Sequence, residues 1–405
     1  MNSPPPADVP LASGFVAHTG SIGIKDDSPD LLILTTAGRP ARAARAAGVF
    51  TRSLFSGPSV GLSRRNIADH RAQAVVVVSK NANVATGDTG AADAAELAEL
   101  TATACGCDPG DVLVGSTGVI GVPYPMERVR DYFDALGALD TAPALTTSAT
   151  AAARAIMTTD TRPKVSAAAA GPARVVGFAK GVGMIEPDMA TMIAVVTTDA
   201  APAAPAGTDA DAALDAVFRR VVDRTFNALS VDTDTSTSDM AVLLASGEAG
   251  EVDAAEFERA LGEVCTDLTR QLAADGEGAE TLIVVSVAAA RDHDQARRVA
   301  KSIVNSPLVK TAVHGRDPNW GRVAMAIGKC HDVVDIDPAA VVIRFGDHEV
   351  YPAPPTPELS ERLRAYLAGD EVLIDVSLGV GDGAFTVYGC DLTDGYIRIN
   401  ADYTT

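Results

Sequence analysis

Lys180-Gly-Val-Gly-Met-Ile-Glu-Pro-Asp-Met-Ala-Thr191 is the stretch whose residue types could most readily do chemistry. Two glycines and a proline make a tight backbone path, and a strand-like run, Met192–Thr197, follows at once. A Thr that opens a buried strand after such a loop is a candidate nucleophile, but its hydroxyl is weak unless a base sits beside it. If Thr191 began a chain, its own α-amino group would be that base. Such an amine has a reference pKa of about 7.7–8.0, close to the working pH. It exists only if the Ala190–Thr191 bond is cut. On these residues alone, an ordinary β-turn before a strand is the simpler account.

Three further stretches carry reactive or coordinating types. Val114-Gly-Ser-Thr-Gly-Val-Ile-Gly121 runs from a strand into a Ser-Thr-Gly turn, which could offer N–H groups and a hydroxyl to an oxyanion. A plain strand-ending turn fits it too. Val231-Asp-Thr-Asp-Thr-Ser-Thr-Ser-Asp239 could bind a cation through hard oxygens. It lacks the glycine and final Glu of a calcium loop, and a loop whose short side chains satisfy the backbone is the better fit. Thr311–Arg322, TAVHGRDPNWGR, could orient a carboxylate through Arg316 or Arg322. Equally, its Asp-Pro-Asn-Trp could open a helix continuing to Lys329. No GxxxxGK[ST] or HExxH occurs. Gly379-Val-Gly-Asp-Gly-Ala384 imitates a dinucleotide turn, but a strand-like run, Phe385–Tyr388, follows where that site needs a helix.

These stretches need elements to hold them. Short runs rich in branched residues predict strands at Leu31–Thr35, Ala74–Ser79, Val112–Ser116, Val175–Phe178, Met192–Thr197 and Ala241–Ala245. The same pattern recurs at Leu282–Val287, Val341–Phe345, Val372–Val376 and Phe385–Tyr388. Helical periodicity marks Ala92–Ala104, Met126–Leu136, Asp209–Arg224, Ala254–Ala274 and Pro357–Leu367. The fold class is an α/β mixture of packed layers, without a visible internal repeat. Ala201–Thr208 is the strongest interior candidate for a linker or surface loop, and Tyr351–Pro357 reads as a second loop.

Composition bounds the rest. The 405 residues are 47% hydrophobic, enough for a sizeable core. A net charge of −20 argues against nucleic-acid and membrane-surface partners. No apolar run is long enough to span a bilayer. The start, MNSPPPADVP, lacks the features of a secretion signal and reads as a short disordered tail. The five cysteines fit no disulfide framework or zinc site, so reduced thiols in a cytoplasmic protein are expected.

Together these stretches resemble the ornithine acetyltransferase family, also called glutamate N-acetyltransferase. Nine ordered blocks carry the resemblance. They are residues 81–87 (NANVATG), 116–121 (STGVIG), 157–164 (MTTDTRPK), 180–191, 232–239, 275–279 (DGEGA), 305–312 (NSPLVKTA), 317–322 (DPNWGR) and 399–405 (INADYTT). The resemblance covers nearly the whole chain, from about Gly14 to Thr405. One departure is Glu186, which stands where arginine-pathway members usually carry a small residue. With TDTRPK (159–164) and CDLTDGY (390–396), it makes the chain most similar to paralogues associated with clavam biosynthesis.

The resemblance implies an Ntn-hydrolase-like αββα sandwich, self-cleaved between Ala190 and Thr191, with a second, smaller α/β region in the C-terminal half. Residues 1–190 would form an α chain and 191–405 a β chain. It implies Thr191 as nucleophile, Thr117 and Gly118 as oxyanion hole, and Thr158, Lys180, Thr191, Glu277, Asn400 and Thr405 as substrate-binding residues. The activity implied moves an acetyl group from N-acetylornithine to glutamate through an acetyl-Thr191 ester. Lys180 would favour the neutral amine, and Glu277 would meet a cationic group of the substrate. No metal or cofactor is expected, and an α2β2 assembly is. The alternative is a self-cleaving hydrolase, an aminopeptidase or amidase, using the same Thr.

Overall fold

Leu31–Leu34 and Ala74–Val78 are apolar at every position, without the alternation of a strand that has one wet face. Such strands must be covered on both faces, and the computed structural model covers them. It describes residues 8–36, 43–139, 145–186, 192–331 and 334–402.

The chain enters through β1 (Phe15–Gly20), β2 (Leu31–Thr36) and β3 (Ala44–Phe50). Helix α1 (Pro58–Asn66), the short β4 (Arg71–Ala72) and β5 (Ala74–Val78) follow. Helix α2 (Gly87–Cys105) then brings β6 (Val112–Ser116) parallel to β5. Next come α3 (Met126–Leu136), β7 (Leu145–Thr146), α4 (Ala149–Ala155) and the pair β8 (Lys164–Ala170) and β9 (Ala173–Lys180). β10 (Ile193–Pro202), α5 (Ala210–Arg224), β11 (Met240–Val252) and α6 (Ala254–Ala274) complete the larger part.

One five-stranded sheet has the order β6-β5-β2-β1-β7, and a six-stranded sheet the order β4-β3-β11-β10-β9-β8. Leu32, Leu34, Val75, Val77 and Leu113 of the first face Val176, Phe178, Val195, Val242 and Leu244 of the second. The alternate residues Leu31, Ile33, Val76 and Val78 turn outward under Leu97 of α2 and Val129 and Phe133 of α3. On the far side, Val175, Ala194, Val196 and Leu243 lie under Phe218 of α5 and Phe257, Leu261 and Leu268 of α6. The layers therefore run helix, sheet, sheet, helix. Each such buried Leu, Val or Phe contributes roughly 1.5–3 kcal/mol. Asp209 and Asp253 start the covering helices α5 and α6 by accepting two backbone N–H groups each.

The smaller region follows. β12 (Leu282–Ala290), α7 (His293–Val304), α8 (Pro307–His314), α9 (Trp320–Gly328), β13 (Val342–Phe345) and β14 (His348–Tyr351) precede α10 (Pro357–Tyr366), β15 (Glu371–Ser377), β16 (Gly383–Cys390) and α11 (Asp394–Asp402). Its sheet has the order β14-β13-β15-β12-β16. One face packs on α7, α9 and α10, and Leu282 and Val284 of the other join the core beneath α6.

All ten expected strands and all five expected helices are present. β1, β3, β4, β7, β8 and β14 and helices α1, α4, α7, α8 and α11 are additional. β8 reads Lys-Val-Ser-Ala-Ala-Ala-Ala, a poor strand former by propensity, and is held by pairing with β9. Of the expected loop Ala201–Thr208, Ala201 and Pro202 still belong to β10 and pair with β11, and residues 203–208 form the loop that leads to α5 within one layered unit. The opening tail, residues 1–7, lies outside the described residues. All five cysteines are free thiols. Among the described residues, no helix is long and apolar enough to cross a membrane.

Candidate active site

The ends of β6 and β9 and the start of β10 meet at one cavity. Thr117 and Gly118 reach it from the turn after β6, Thr158 from the loop after α4, and Lys180 from the last position of β9. Glu277 reaches it from the turn after α6, and Asn400 from α11. Six of the residues expected from the sequence thus line one space. Ala190, Thr191 and Thr405 lie outside the described residues. Met192, whose amide nitrogen is bonded to Thr191, lines the same cavity.

The turn after β6 is built against residues 78–84. Thr117 N–H donates to Val78 O at 3.0 Å, and Ala82 N–H to Val119 O at 3.0 Å. Gly118 has φ +132°, and a Cβ there would lie 2.2 Å from the Lys80 carbonyl carbon. Only glycine fits. The Lys180 ammonium donates to Thr117 Oγ1 at 2.7 Å. A hydroxyl that accepts from an ammonium keeps its own O–H for another acceptor. Burial pulls the Lys180 ammonium below the usual lysine range, more than the Asp160 and Asp239 carboxylates lift it.

Beneath the cavity lies a buried ion triad. Lys164 Nζ sits 2.6 Å from Asp160 Oδ1 and 2.5 Å from Asp275 Oδ2. Burial would raise the Asp160 pKa, but Lys164 and Lys180 outweigh it and hold the carboxyl below its ordinary range. Asp160 also accepts from Thr158 N–H at 3.1 Å and Gly181 N–H at 2.9 Å. Asp275 accepts from Thr161 N–H at 3.1 Å. One cluster therefore fixes Thr158, the residue after Lys180, and the turn that carries Glu277. Glu277 accepts from Thr159 Oγ1 at 2.9 Å and Asn400 Nδ2 at 2.8 Å. A Cβ at Gly183 would fall 2.4 Å from Glu277 Oε2, so glycine there makes room for the carboxylate.

Asp160, Lys164 and Asp275 lie within sequence blocks already singled out, yet nothing in their spacing shows that they meet. Asp239 also lines the cavity, with Ser236, Thr237 and Ser238. The sequence treated their stretch as a hydrogen-bonded loop. That holds for Asp232, which accepts from the N–H groups of Met184 and Ile185 at 2.7 Å each. The signal for Asp239 was its position, an acid directly before a buried strand.

The Thr311–Arg322 stretch supplies the end of α8 and the start of α9, with Asn319 at the helix entry. Arg322 donates to Leu308 O at 2.6 Å, and none of these residues lines the cavity. Helix opening, not carboxylate capture, is its structural role. Among the described residues, Glu280, His314 and Asp391 form a group whose donor atoms converge within 4.8 Å, away from the cavity. His314 Nδ1 there lies 3.3 Å from Asp391 Oδ2 and 3.7 Å from Glu280 Oε2, an imidazole between two carboxylates.

The ArgJ family model matches residues 16–405 of the chain. The chain belongs to the ArgJ family. It is similar to the glutamate N-acetyltransferase Oat2 of Streptomyces clavuligerus, at 54% identity over 97% of this chain and 98% of that one. The arginine biosynthesis bifunctional protein ArgJ of Rhodococcoides fascians is 51% identical over 98% of this chain and 96% of its own. A solved ArgJ chain from Bacillus halodurans is 39% identical, covering 52% of this chain and 98% of its own, with a TM-score of 0.46. The cavity described above lies wholly within the region that the ArgJ match spans.

Proposed function

We propose that the chain is a glutamate N-acetyltransferase that moves the acetyl group of N-acetylornithine to glutamate. The observation that carries this is the Lys180–Thr117 hydrogen bond inside a cavity that Gly118, Thr158, Glu277 and Asn400 also line. Thr191 is the nucleophile, freed when the precursor cuts itself at Ala190–Thr191. The helix–sheet–sheet–helix layering supports an N-terminal-nucleophile type of fold. Residues 1–190 and 191–405 are then the α and β chains, assembled as α2β2 in the cytoplasm, where the free thiols stay reduced.

In maturation, the Thr191 hydroxyl attacks the Ala190 carbonyl and water releases the resulting ester. In turnover, Thr191 Oγ attacks the acetyl carbonyl of N-acetylornithine, with the freed α-amine taking its proton. The Thr117 O–H and Gly118 N–H stabilise the tetrahedral oxyanion. Ornithine leaves, and the glutamate amine attacks the acetyl-Thr191 ester. Lys180 keeps the amine neutral by adding positive charge nearby. Glu277 and Asn400 hold the amino-acid part of the substrate, and Thr158 and Thr405 complete its site. The resemblance to clavam-associated paralogues through Glu186 concerns the pathway and leaves this chemistry unchanged.

Purified protein should give two bands of about 20 and 22 kDa, dividing 41.5 kDa over 190 and 215 residues. The larger should begin Thr-Met-Ile-Ala. Glutamate should accelerate ornithine release from N-acetylornithine. Acetate release indifferent to glutamate would instead favour the hydrolase.

A further inference from the structure

Asp391 follows β16 directly and leads the chain toward α11. Its side chain is fully buried. Oδ1 accepts from Glu280 N–H at 2.9 Å and from Thr281 N–H at 3.0 Å, which fixes the carboxylate in place. Oδ2 has no hydrogen-bond partner among the described residues. A buried carboxylate oxygen left bare is costly and calls for an explanation.

The bare oxygen lies 3.3 Å from Nδ1 of His314, the last residue of α8. The same nitrogen lies 3.7 Å from Glu280 Oε2, and one donor atom from each of the three residues falls within 4.8 Å of the others. Around a tetrahedral ion with bonds of about 2.0–2.2 Å, neighbouring ligand atoms stand about 3.4 Å apart. The imidazole is therefore already at about that separation from both carboxylates. One imidazole nitrogen with two carboxylates suits zinc and similar ions, whereas Ca²⁺ and Mg²⁺ take oxygen ligands. Neutral imidazole and two carboxylates sum to −2, which a divalent ion cancels and a proton on His314 would only halve. Lys310, one turn earlier on α8, directs its ammonium to Cys390 O at 2.5 Å. His314 also closes its helix, where the carbonyl dipoles favour a cation.

We propose that Glu280, His314 and Asp391 form a structural site for a zinc-class divalent ion. Glu280 is 68% exposed, which leaves an open side for water as the fourth ligand. The site joins three segments. Glu280 follows the turn that carries Glu277, His314 ends α8, and Asp391 opens the segment that leads to α11 and Asn400. Thr393 Oγ1 donates to Gly278 O at 2.6 Å along the same seam. The ion pins the C-terminal segment to the Glu277 turn from outside the cavity.

The test uses the purified full-length protein, stripped with a chelator and then freed of it. Zn²⁺ is titrated by calorimetry, with Mg²⁺ and Ca²⁺ as controls. One Zn²⁺ should bind per 405 residues and raise Tm, and neither control should match it. His314→Ala and Glu280→Gln should each weaken Zn²⁺ binding at least about 10-fold and abolish the rise in Tm. Asp391→Asn, which keeps the Oδ1 acceptor and loses the charge, should do the same. No stoichiometric binding to wild type overturns the site and leaves His314 and Asp391 as an ion pair only. Binding that His314→Ala and Glu280→Gln retain at wild-type affinity places the ion elsewhere and overturns it too. Ca²⁺ or Mg²⁺ binding as tightly as Zn²⁺ overturns the zinc-class assignment.

Discussion

Thr117 carries the sharpest consequence at the scale of single residues. Its Oγ accepts from Lys180 at 2.7 Å, which leaves its own proton to donate to the oxyanion proposed above. Thr117→Val should lower kcat for ornithine release about 10²–10³-fold, a loss of roughly 3–4 kcal/mol, and Thr117→Ser should restore most of it. Unchanged turnover in the Val variant would remove Thr117 from the chemistry. Asp239 gives a pH signature in stability. Its native pKa lies above the unfolded value of about 3.9. Between the two, the folded chain holds more protons than the unfolded one, so stability falls as pH rises through that window. Asp239→Asn lacks this term. In a Thr191→Ala background, which keeps the chain whole, the Tm of the Asn variant relative to its parent should climb as pH rises above about 4. A pH-independent difference would mean that the buried carboxyl does not titrate as described. Thr117 was visible in the sequence only through the family-like block it sits in, since a plain strand-ending turn fits the same residues. Asp239 was not, because an acid closing a polar run looks like any solvated loop until the strand behind it proves buried.

At the scale of elements, the triad of Lys164, Asp160 and Asp275 ties β8 to the loop before it and to the turn after α6. Removing one member leaves buried charges without a partner, which costs about 3–5 kcal/mol. Lys164→Met should lower stability by that amount in urea unfolding. It should also lower kcat, because Thr158, Gly181 and the Glu277 turn lean on the same cluster. A variant as stable as wild type would show that the triad is incidental. Lys164 and Asp275 are 111 positions apart, so no spacing rule could join them. The strands were legible where both faces are buried, as in Leu31–Leu34. They were illegible in β3 and β8, where alanines are strand-forming only because their neighbours pair with them.

At the scale of the whole molecule, the proposed cut would run across the fold. Before Ala190–Thr191 lie β3, β4, β8 and β9, and after it lie β10 and β11, all in one sheet. Ile193 pairs with Lys180, and β11 pairs with β3. Cut chains should therefore co-elute in native gel filtration and separate only in denaturant, since parting them would expose the core between the sheets. Separation without denaturant would contradict the shared sheet. The layered class and the C-terminal region were readable from strand and helix patterns. The interleaving of the segments on either side of Ala190–Thr191 was not, because it lives in pairings between distant strands. The most direct test of the account is the mass of the 191–405 chain after brief incubation with N-acetylornithine in the absence of glutamate. The account predicts a gain of about 42 Da, located on Thr191 and discharged by glutamate. Sustained acetyl transfer with no such adduct, or with the acetyl group on another residue, would contradict it.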